Sequence, residues 1–271
     1  MSGYAASFLD VRLELLVAQQ PVIQLDYTHF TVLLDPERRL AVATAVNIAG
    51  AELVDVKRGS TWRFDKRVSE AEQAGPELYA KNDLDRGNLV RRKGPVWGDE
   101  AAQADVDTFH YTNAAPQAAA FNQGRGLWVE LEDHVLEHSG ANQLRLSVFT
   151  GPVFRADDAL YRGVRIPRMF WKIAAWSALE DDTASLRAAG FVLDQSPLLA
   201  DIDLRELTSG NPPPLGPFRT FQLPVERIAE LTGLAIEQLV DADRYQPTPA
   251  AHPVGTRGDW RELSSGDEIE L

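Results

Sequence analysis

The sequence predicts an α+β fold, because strand-like segments come first, helical spacing follows, and strand-like segments then return. Runs rich in β-branched residues are separated by turn sequences before residue 57. Apolar residues recur at helical spacing over residues 127–138, and strand-like runs reappear beyond residue 144. This order is typical of α+β proteins and differs from the regular alternation of βαβ proteins.

The first part of the chain is predicted to form an antiparallel meander that starts near Tyr27. Its strands are residues 30–34, 40–48 and 52–56, separated by the turn signals DPERR and AGA. Residues 84–109 are rich in Gly, Asp and Arg and are predicted to be irregular. A connection of that length within a compact domain usually carries function.

The second part of the chain mixes helix and strand signals. Residues 115–121 contain good helix formers, and residues 127–138 are predicted to form an amphipathic helix. Pro224 should open a helix that has Val225, Ile228 and Leu231 on one face and stops at Gly233. The other predicted elements are strands at 144–149 and 169–176, a stiff linker at 209–217, a short helix at 234–240 and an exposed loop at 247–258.

Composition is ordinary for a soluble globular protein with a real core, at 44% hydrophobic and 25% charged residues. No run approaches the roughly 18 apolar residues that cross a bilayer. Asp10, Arg12 and Glu14 interrupt the apolar residues near the N-terminus, so no signal peptide is expected. The absence of cysteine excludes disulfides, thiolate metal sites and a cysteine nucleophile. We therefore expect a cytoplasmic protein without a membrane partner.

The net charge of −13 argues against a protein that coats nucleic acid by bulk electrostatics. It leaves room for an enzyme with a local basic groove. Arg86, Arg91, Arg92 and Lys93 form the densest basic cluster, and a solvated loop is the alternative interpretation of that cluster.

The histidines give only weak support for a metal site of their own. Of the five in the chain, His134 and His138 have the i, i+4 spacing that can place two imidazoles on one zinc ion. The zinc-protease pattern is absent, because Val135 stands where a glutamate is needed. Nucleophile-elbow, dinucleotide-binding and Walker signatures are also absent.

Several blocks occur in a fixed order along the chain. They are DRGNLVRR (85–92), WG (97–98), TNAAPQ (112–117), FNQG (121–124) and WVELE (128–132). The chain closely resembles the DNA/RNA non-specific endonuclease family in these blocks, over roughly residues 27–180. YTHFTVLLD, AVNIAG, WRFDKR, FTGPVF and FWK resemble that family's framework as well, and residues 218–240 resemble its bacterial members.

The resemblance implies a ββα-metal nuclease fold, with a central antiparallel sheet flanked by helices. It further implies one nuclease domain over residues 1–271, with a core at about 27–200 and a C-terminal helical extension at 218–271 packed on it. The family's DRGH histidine is the general base that activates water, and here Asn88 occupies its place. An amide cannot take a proton from water near neutral pH, so turnover is put in doubt.

The remaining family roles carry over by position. Asn122 matches the direct ligand of Mg²⁺, for which Mn²⁺ can substitute, and Glu132 matches the residue that holds metal-bound waters. Two extra residues within GRG make Glu132 a better match than Glu130. Three further residues act on phosphate: Asn113 supports the site and the scissile phosphate, Arg86 contacts phosphate, and either Arg58 or Arg63 stabilises the transition state.

The predicted function is Mg²⁺-dependent, sequence-independent hydrolysis of DNA or RNA, inactive or strongly weakened by Asn88. The alternative is a non-catalytic module that keeps the nuclease fold and binds nucleic acid or a protein partner. Retention of Arg86, Asn113, Asn122 and Glu132 favours the first interpretation. A homodimer and a regulatory or activating protein partner remain open, as does the natural or engineered origin of Asn88.

Overall fold

An eight-stranded antiparallel sheet forms the centre of the molecule. The structure is a computed structural model that describes residues 3–118, 144–181, 183–196, 219–245 and 259–270. Its strands are β1 (Ile23–Tyr27), β2 (Phe30–Asp35), β3 (Leu40–Ala49), β6 (Arg145–Val153), β9 (Met169–Glu180), β10 (Thr183–Asp194), β11 (Arg219–Leu223) and β12 (Arg261–Leu263). Their order across the sheet is β1-β2-β3-β6-β9-β10-β11-β12, and every neighbouring pair is antiparallel.

Beside the central sheet, the described residues form two small sheets and several short helices. The small sheets pair β4 (Leu84–Asn88) with β5 (Ala114–Ala118), and β7 (Leu160–Tyr161) with β8 (Val164–Arg165). The helices are α1 (Pro76–Tyr79), α2 (Ala101–Asp107), α3 (Val225–Thr232) and α4 (Glu237–Ala242). Short 3-10 helices occupy Gly50–Glu52, Glu70–Glu72, Tyr111–Asn113 and Gly266–Glu268. The central antiparallel sheet was predicted, but the described residues are richer in sheet than an α+β assignment implies.

Each face of the sheet carries its own apolar core, because successive side chains of a strand point to opposite faces. One face packs against the layer that contains β4 and β5, through Leu89, Val90 and Ala115. The other face packs against the N-terminal segment and the C-terminal helices, through residues such as Leu13 and Ile228. The sheet therefore separates the β4–β5 layer from the C-terminal helices.

The predicted meander is present as β1, β2 and β3, and it begins at Ile23, before Tyr27. The predicted strand at residues 52–56 is wrong. Leu53 makes only an isolated bridge to Trp97, and the Val54 N–H donates to the Val96 carbonyl at 3.1 Å. The sheet position beside β3 is already taken by β6, so this segment pairs locally with the loop at 94–98.

Two predictions around the signature blocks also differ from the structure. Residues 84–109 are not wholly irregular, since they contain β4 and α2. The helix formers at 115–121 lie partly in β5, a strand. Ala114 and Ala115 are completely buried there, so tertiary packing outweighs the helix propensity of alanine.

The C-terminal segment is more than a helical extension, because β11 and β12 extend the central sheet. The helix predicted after Pro224 is confirmed as α3, and Gly233 ends it in the left-handed conformation with φ of 68°. The short helix predicted at 234–240 is shifted and appears as α4 (Glu237–Ala242). The features predicted at 127–138, 209–217 and 247–258 lie outside the described residues.

Candidate active site

The two-stranded sheet of β4 and β5 presents the DRGN block. Asn88 pairs with Ala114 at one end of this sheet, and Gly87 pairs with Ala115. A Cβ atom on Gly87 would lie 2.0 Å from Oε1 and 2.1 Å from Cδ of Gln117. Only glycine leaves room for that side chain, so the sequence DRG is fitted to the strand that carries TNAAPQ.

The two site asparagines share one hydrogen-bond acceptor. The Asn88 side-chain N–H donates to the carbonyl of Thr108 at 2.8 Å, and the Asn113 side-chain N–H donates to the same oxygen at 3.0 Å. Asn113 also donates to the Val90 carbonyl at 3.1 Å, and its Oδ1 accepts from the Val90 N–H at 2.8 Å. These bonds connect the end of β4 to the turn that follows α2.

The two amides consequently differ in what they can offer a substrate. Asn113 is completely buried and uses both N–H groups and its oxygen inside the protein. It therefore supports the site, and contact with a phosphate would require these bonds to break. Asn88 is partly exposed, and no hydrogen bond from the described part of the chain reaches its Oδ1.

A buried polar network lies beneath the Asn113 segment. The Tyr27 hydroxyl donates to Asp65 Oδ2 at 2.5 Å and lies 2.6 Å from Thr112 Oγ1. Because the tyrosine proton is directed at the carboxylate, the Thr112 hydroxyl donates to Tyr27. Arg67 makes a further ion pair with Asp65 at 2.6 Å. The network fixes the residue immediately before Asn113.

Charge in this network shifts the pKa values of its members. Burial alone would raise the pKa of Asp65, but the hydrogen bonds from Arg67 and Tyr27 outweigh burial and lower it to about 2. Burial, reinforced by the hydrogen bond to Asp65, raises the pKa of Tyr27 above its usual value. Asp65 is thus ionised and Tyr27 neutral throughout the ordinary pH range.

Both arginine candidates for the transition-state role lie on a segment tied to the same region. The Gly59 N–H donates to Asp105 Oδ2 at 2.8 Å, which anchors the residue next to Arg58. Arg63 is linked through its backbone, since its N–H donates to the Phe109 carbonyl and its carbonyl accepts from the Tyr111 N–H, both at 3.0 Å. The backbone of Arg63 is therefore bonded directly to the Thr108–Asn113 segment, which favours Arg63 over Arg58.

Three exposed arginines near the site have no ion-pair partner among the described residues, whereas many other arginines do. Arg58, Arg63 and Arg86 are exposed and form no ion pair with a carboxylate in the described part of the chain. Arg92, by contrast, is bound to the buried Asp105 at 2.7 Å and belongs to the scaffold. Within the cluster predicted at 86–93, Arg86 is thus exposed without an ion pair in the described ranges, whereas Arg92 is structural.

Positive charge in this acidic protein is concentrated in one segment. Residues 57–93 hold four of the chain's five lysines, and these four are exposed. The segment contains ten basic and six acidic residues, whereas the whole chain carries 27 and 40. Despite the net charge of −13, this segment therefore carries a local excess of positive charge that could attract a polyanion.

The predicted metal residues Asn122 and Glu132 lie outside the described residues, as do His134 and His138. Among the residues that the structure describes, no group of three or more His, Asp or Glu side chains could hold a metal ion. Among the described residues, Asn88 Oδ1 is a neutral oxygen with no hydrogen-bond donor, two residues along the chain from the exposed Arg86. Such an oxygen suits the water shell of an ion like Mg²⁺, which usually keeps most of its waters in proteins.

Sequence reasoning missed the contacts that hold these residues in place. The Thr108 carbonyl is a backbone group and has no sequence signal. Tyr27 and Asp65 do lie in the framework blocks YTHFTVLLD and WRFDKR, but nothing in either block indicates that the two side chains meet. His110, which lies just before the TN block, directs its Nδ1 to the Asp107 carbonyl at 2.8 Å and packs on the Tyr27 ring.

The chain is similar in sequence to known proteins over most of its length. The family model for DNA/RNA non-specific endonucleases matches residues 14–243. An uncharacterised protein, y4fB, of Sinorhizobium fredii is 40% identical over 247 residues, covering 87% of this chain and 37% of that protein. Nuclease 1, mitochondrial, of Schizosaccharomyces pombe is 25% identical over 194 residues, covering 66% of this chain and 54% of that protein. The chain thus spans roughly a third of one relative and half of the other.

The fold is shared with a solved structure. A chain from the crystal structure of the EndoG/EndoGI complex, a study of EndoG inhibition, superposes with a TM-score of 0.58 at 17% identity. The match covers 80% of this chain and 86% of that one. No helix among the described residues is long and apolar enough to cross a membrane. With the family model spanning residues 14–243 and the DRGN and TNAAPQ blocks brought together by the pairing of β4 with β5, the chain belongs to the DNA/RNA non-specific endonuclease family.

Proposed function

We propose that the chain is a nuclease that hydrolyses phosphodiester bonds in DNA or RNA, and that Asn88 leaves this form inactive or strongly impaired. The observation that carries this proposal is the state of the Asn88 amide. Its N–H donates to the Thr108 carbonyl at 2.8 Å, and its oxygen accepts no hydrogen bond from the described residues at this partly exposed position. One polar atom of the side chain is thus held by the protein, and the other is available to a reactant.

Asn88 can orient a water molecule but cannot activate it. Its Oδ1 can accept a hydrogen bond from a water molecule and hold that water near a phosphate. It cannot take the proton, because an amide oxygen is not protonated near neutral pH. Hydrolysis requires the water oxygen to bond to phosphorus, the phosphorus–3′ oxygen bond to break and the water proton to move to a base. The chain lacks that base at position 88.

Unpaired arginines supply the phosphate contacts. Arg86 and either Arg58 or Arg63 would neutralise charge on the phosphate, and contacts to phosphate and sugar carry no direct sequence information. Sequence-independent binding follows. Asn122 would hold Mg²⁺ (or Mn²⁺) directly and Glu132 through water. The bound ion would polarise the phosphate and stabilise the leaving oxygen.

The Thr108 carbonyl explains how a histidine would work at position 88. A histidine Nδ1 lies at the same position along the side chain as the asparagine Nδ2. Its Nδ1–H would therefore donate to Thr108, as the amide N–H does at 2.8 Å. That bond fixes the tautomer in which Nε2 is unprotonated and can accept the water proton.

The decisive experiment is therefore Asn88→His. We expect Mg²⁺-dependent nicking of supercoiled plasmid to rise by about 10²–10⁴-fold, the usual contribution of a general base. The gain should vanish with chelator and should be mostly lost in Asn88→His/Asn122→Ala. A folded Asn88→His protein that binds metal and DNA but gains no activity would favour the non-catalytic binding module.

Other partners follow from the comparisons and the composition. A protein inhibitor is a second class of partner that we propose, because the structural neighbour is EndoG in complex with EndoGI. A cytoplasmic location is proposed on the absence of cysteine, and a homodimer stays a prediction.

A further inference from the structure

An aromatic cluster borders the candidate site beside β4. The Trp62 indole packs edge to face on Phe109, with ring centroids 5.5 Å apart at 79°. It also lies 5.7 Å from the Tyr111 ring at 32°. Phe109 and Tyr111 are buried, whereas Trp62 is partly exposed. The indole is thus supported by buried rings while part of its surface meets solvent.

The Arg86 guanidinium lies over the Trp62 indole in a long cation–π contact. Its guanidinium carbon lies 5.4 Å from the centre of the Trp62 ring, and the side chain is exposed. None of the ion pairs in the described ranges involves Arg86. A cation–π contact at an exposed position is weak, and a charge-assisted bond between arginine and phosphate is stronger. A phosphate can therefore draw Arg86 off the ring.

We propose that Trp62 is a subsite that stacks an unpaired nucleobase of the strand whose phosphate Arg86 binds. The proposal rests on the proposed function, since it requires a nucleic acid at Arg86. Arg86 lies over the Trp62 ring, Arg63 follows Trp62 in the chain, and neither forms an ion pair within the described ranges; this combination suits a polyanion that also carries π faces. Bases in a duplex are stacked on their neighbours, so single strands, loops and ends are the expected ligands.

Binding without cleavage tests this subsite. Fluorescence anisotropy in chelator would compare three labelled probes: a mixed-sequence single-stranded 12-mer, an abasic 12-mer of equal charge, and a 12-base-pair duplex. Stacking of one or two bases should make the base-bearing single strand bind about 5- to 100-fold more tightly than the abasic strand. Trp62→Leu should remove most of that preference, and Trp62→Phe should keep most of it.

The abasic strand and the duplex are the internal controls. Trp62→Leu should leave binding of both nearly unchanged, with a thermal melting curve to confirm the fold. Trp62→Met serves as a second non-aromatic variant if leucine is not tolerated. Equal loss on all three probes, or no loss on the base-bearing strand, would overturn the subsite.

The wild-type protein separates failure of the subsite from failure of the function. If it binds the base-bearing and abasic strands equally and with strong salt dependence, the phosphate contacts stand and the stacking subsite falls. If it binds none of the three probes, the subsite and the proposed nucleic-acid function fall together.

Discussion

Asp65 shows how a residue away from the reacting groups can set the geometry of the site. Its carboxylate accepts from Tyr27 and Arg67, and Tyr27 in turn accepts from Thr112, next to Asn113. Asn113 then shares the Thr108 carbonyl with Asn88. The buried Asp65 carboxylate is therefore connected to Asn88 through a continuous series of hydrogen bonds and the peptide unit between Thr112 and Asn113.

This network should make stability sensitive to acid. The pKa of Asp65 is lowered to about 2 in the folded protein, from an ordinary value of 3.8. The stabilisation it gives is therefore complete above about pH 4 and is lost as the pH falls toward 2. Asp65→Asn should be less stable at pH 7 by on the order of 1–2 kcal/mol, and this difference should shrink at pH 3. Urea denaturation at the two pH values measures it, and a deficit independent of pH would contradict the assignment.

Arg86 is the residue at which phosphate binding can be isolated from catalysis. Arg86→Ala should weaken binding of a labelled duplex to a similar extent for any sequence. The slope of log affinity against log salt should fall by about one, because one fewer phosphate is neutralised. Arg12→Ala, which removes an exposed ion pair with Glu14, is the matched control and should leave the slope unchanged. A sequence-dependent loss would point to base readout at Arg86.

At the scale of elements, the pairing of β4 with β5 positions the site, and Gly87 allows Gln117 to pack closely against β4. Gly87→Ala would place a methyl group on Gln117, with contacts as short as 2.0 Å. We expect a loss of about 1–3 kcal/mol, as for other overpacked positions. Gly87→Ala/Gln117→Ala should recover most of that loss in thermal denaturation, since the clash needs both side chains. Additive losses in the double variant would show that the strain lies elsewhere.

The contrast between β3 and β5 shows how far sequence reasoning reaches. The strand at 40–48 was predictable because its β-branched run lies between clear turn signals. β5 was not, since AAPQA has the composition of a helix and becomes a strand only by pairing with β4. The site residues were found by their order in blocks, but the shared Thr108 carbonyl and the Trp62–Arg86 contact are tertiary facts.

At the scale of the whole molecule, the central sheet separates the candidate site from the C-terminal helices. The basic segment and the site lie in the layer on one face, while the other face is covered by the N-terminal segment, α3 and α4. An acidic protein can therefore offer a polyanion one favourable surface and repel it elsewhere. Such an arrangement favours approach from a single side, which limits non-productive binding.

The same arrangement predicts cooperative unfolding of both layers as one domain. Leu89 and Ile228 are buried on opposite faces of the sheet. Leu89→Ala and Ile228→Ala should each cost about 2–5 kcal/mol, as buried truncations usually do. Both should lower the midpoint of one and the same thermal transition, because the two cores share the strands between them. Leu179→Ala, at a side chain that is 78% exposed, is the control and should change stability by less than about 0.5 kcal/mol. Two separate calorimetric transitions, with Ile228→Ala shifting only one, would instead make the C-terminal segment a domain of its own.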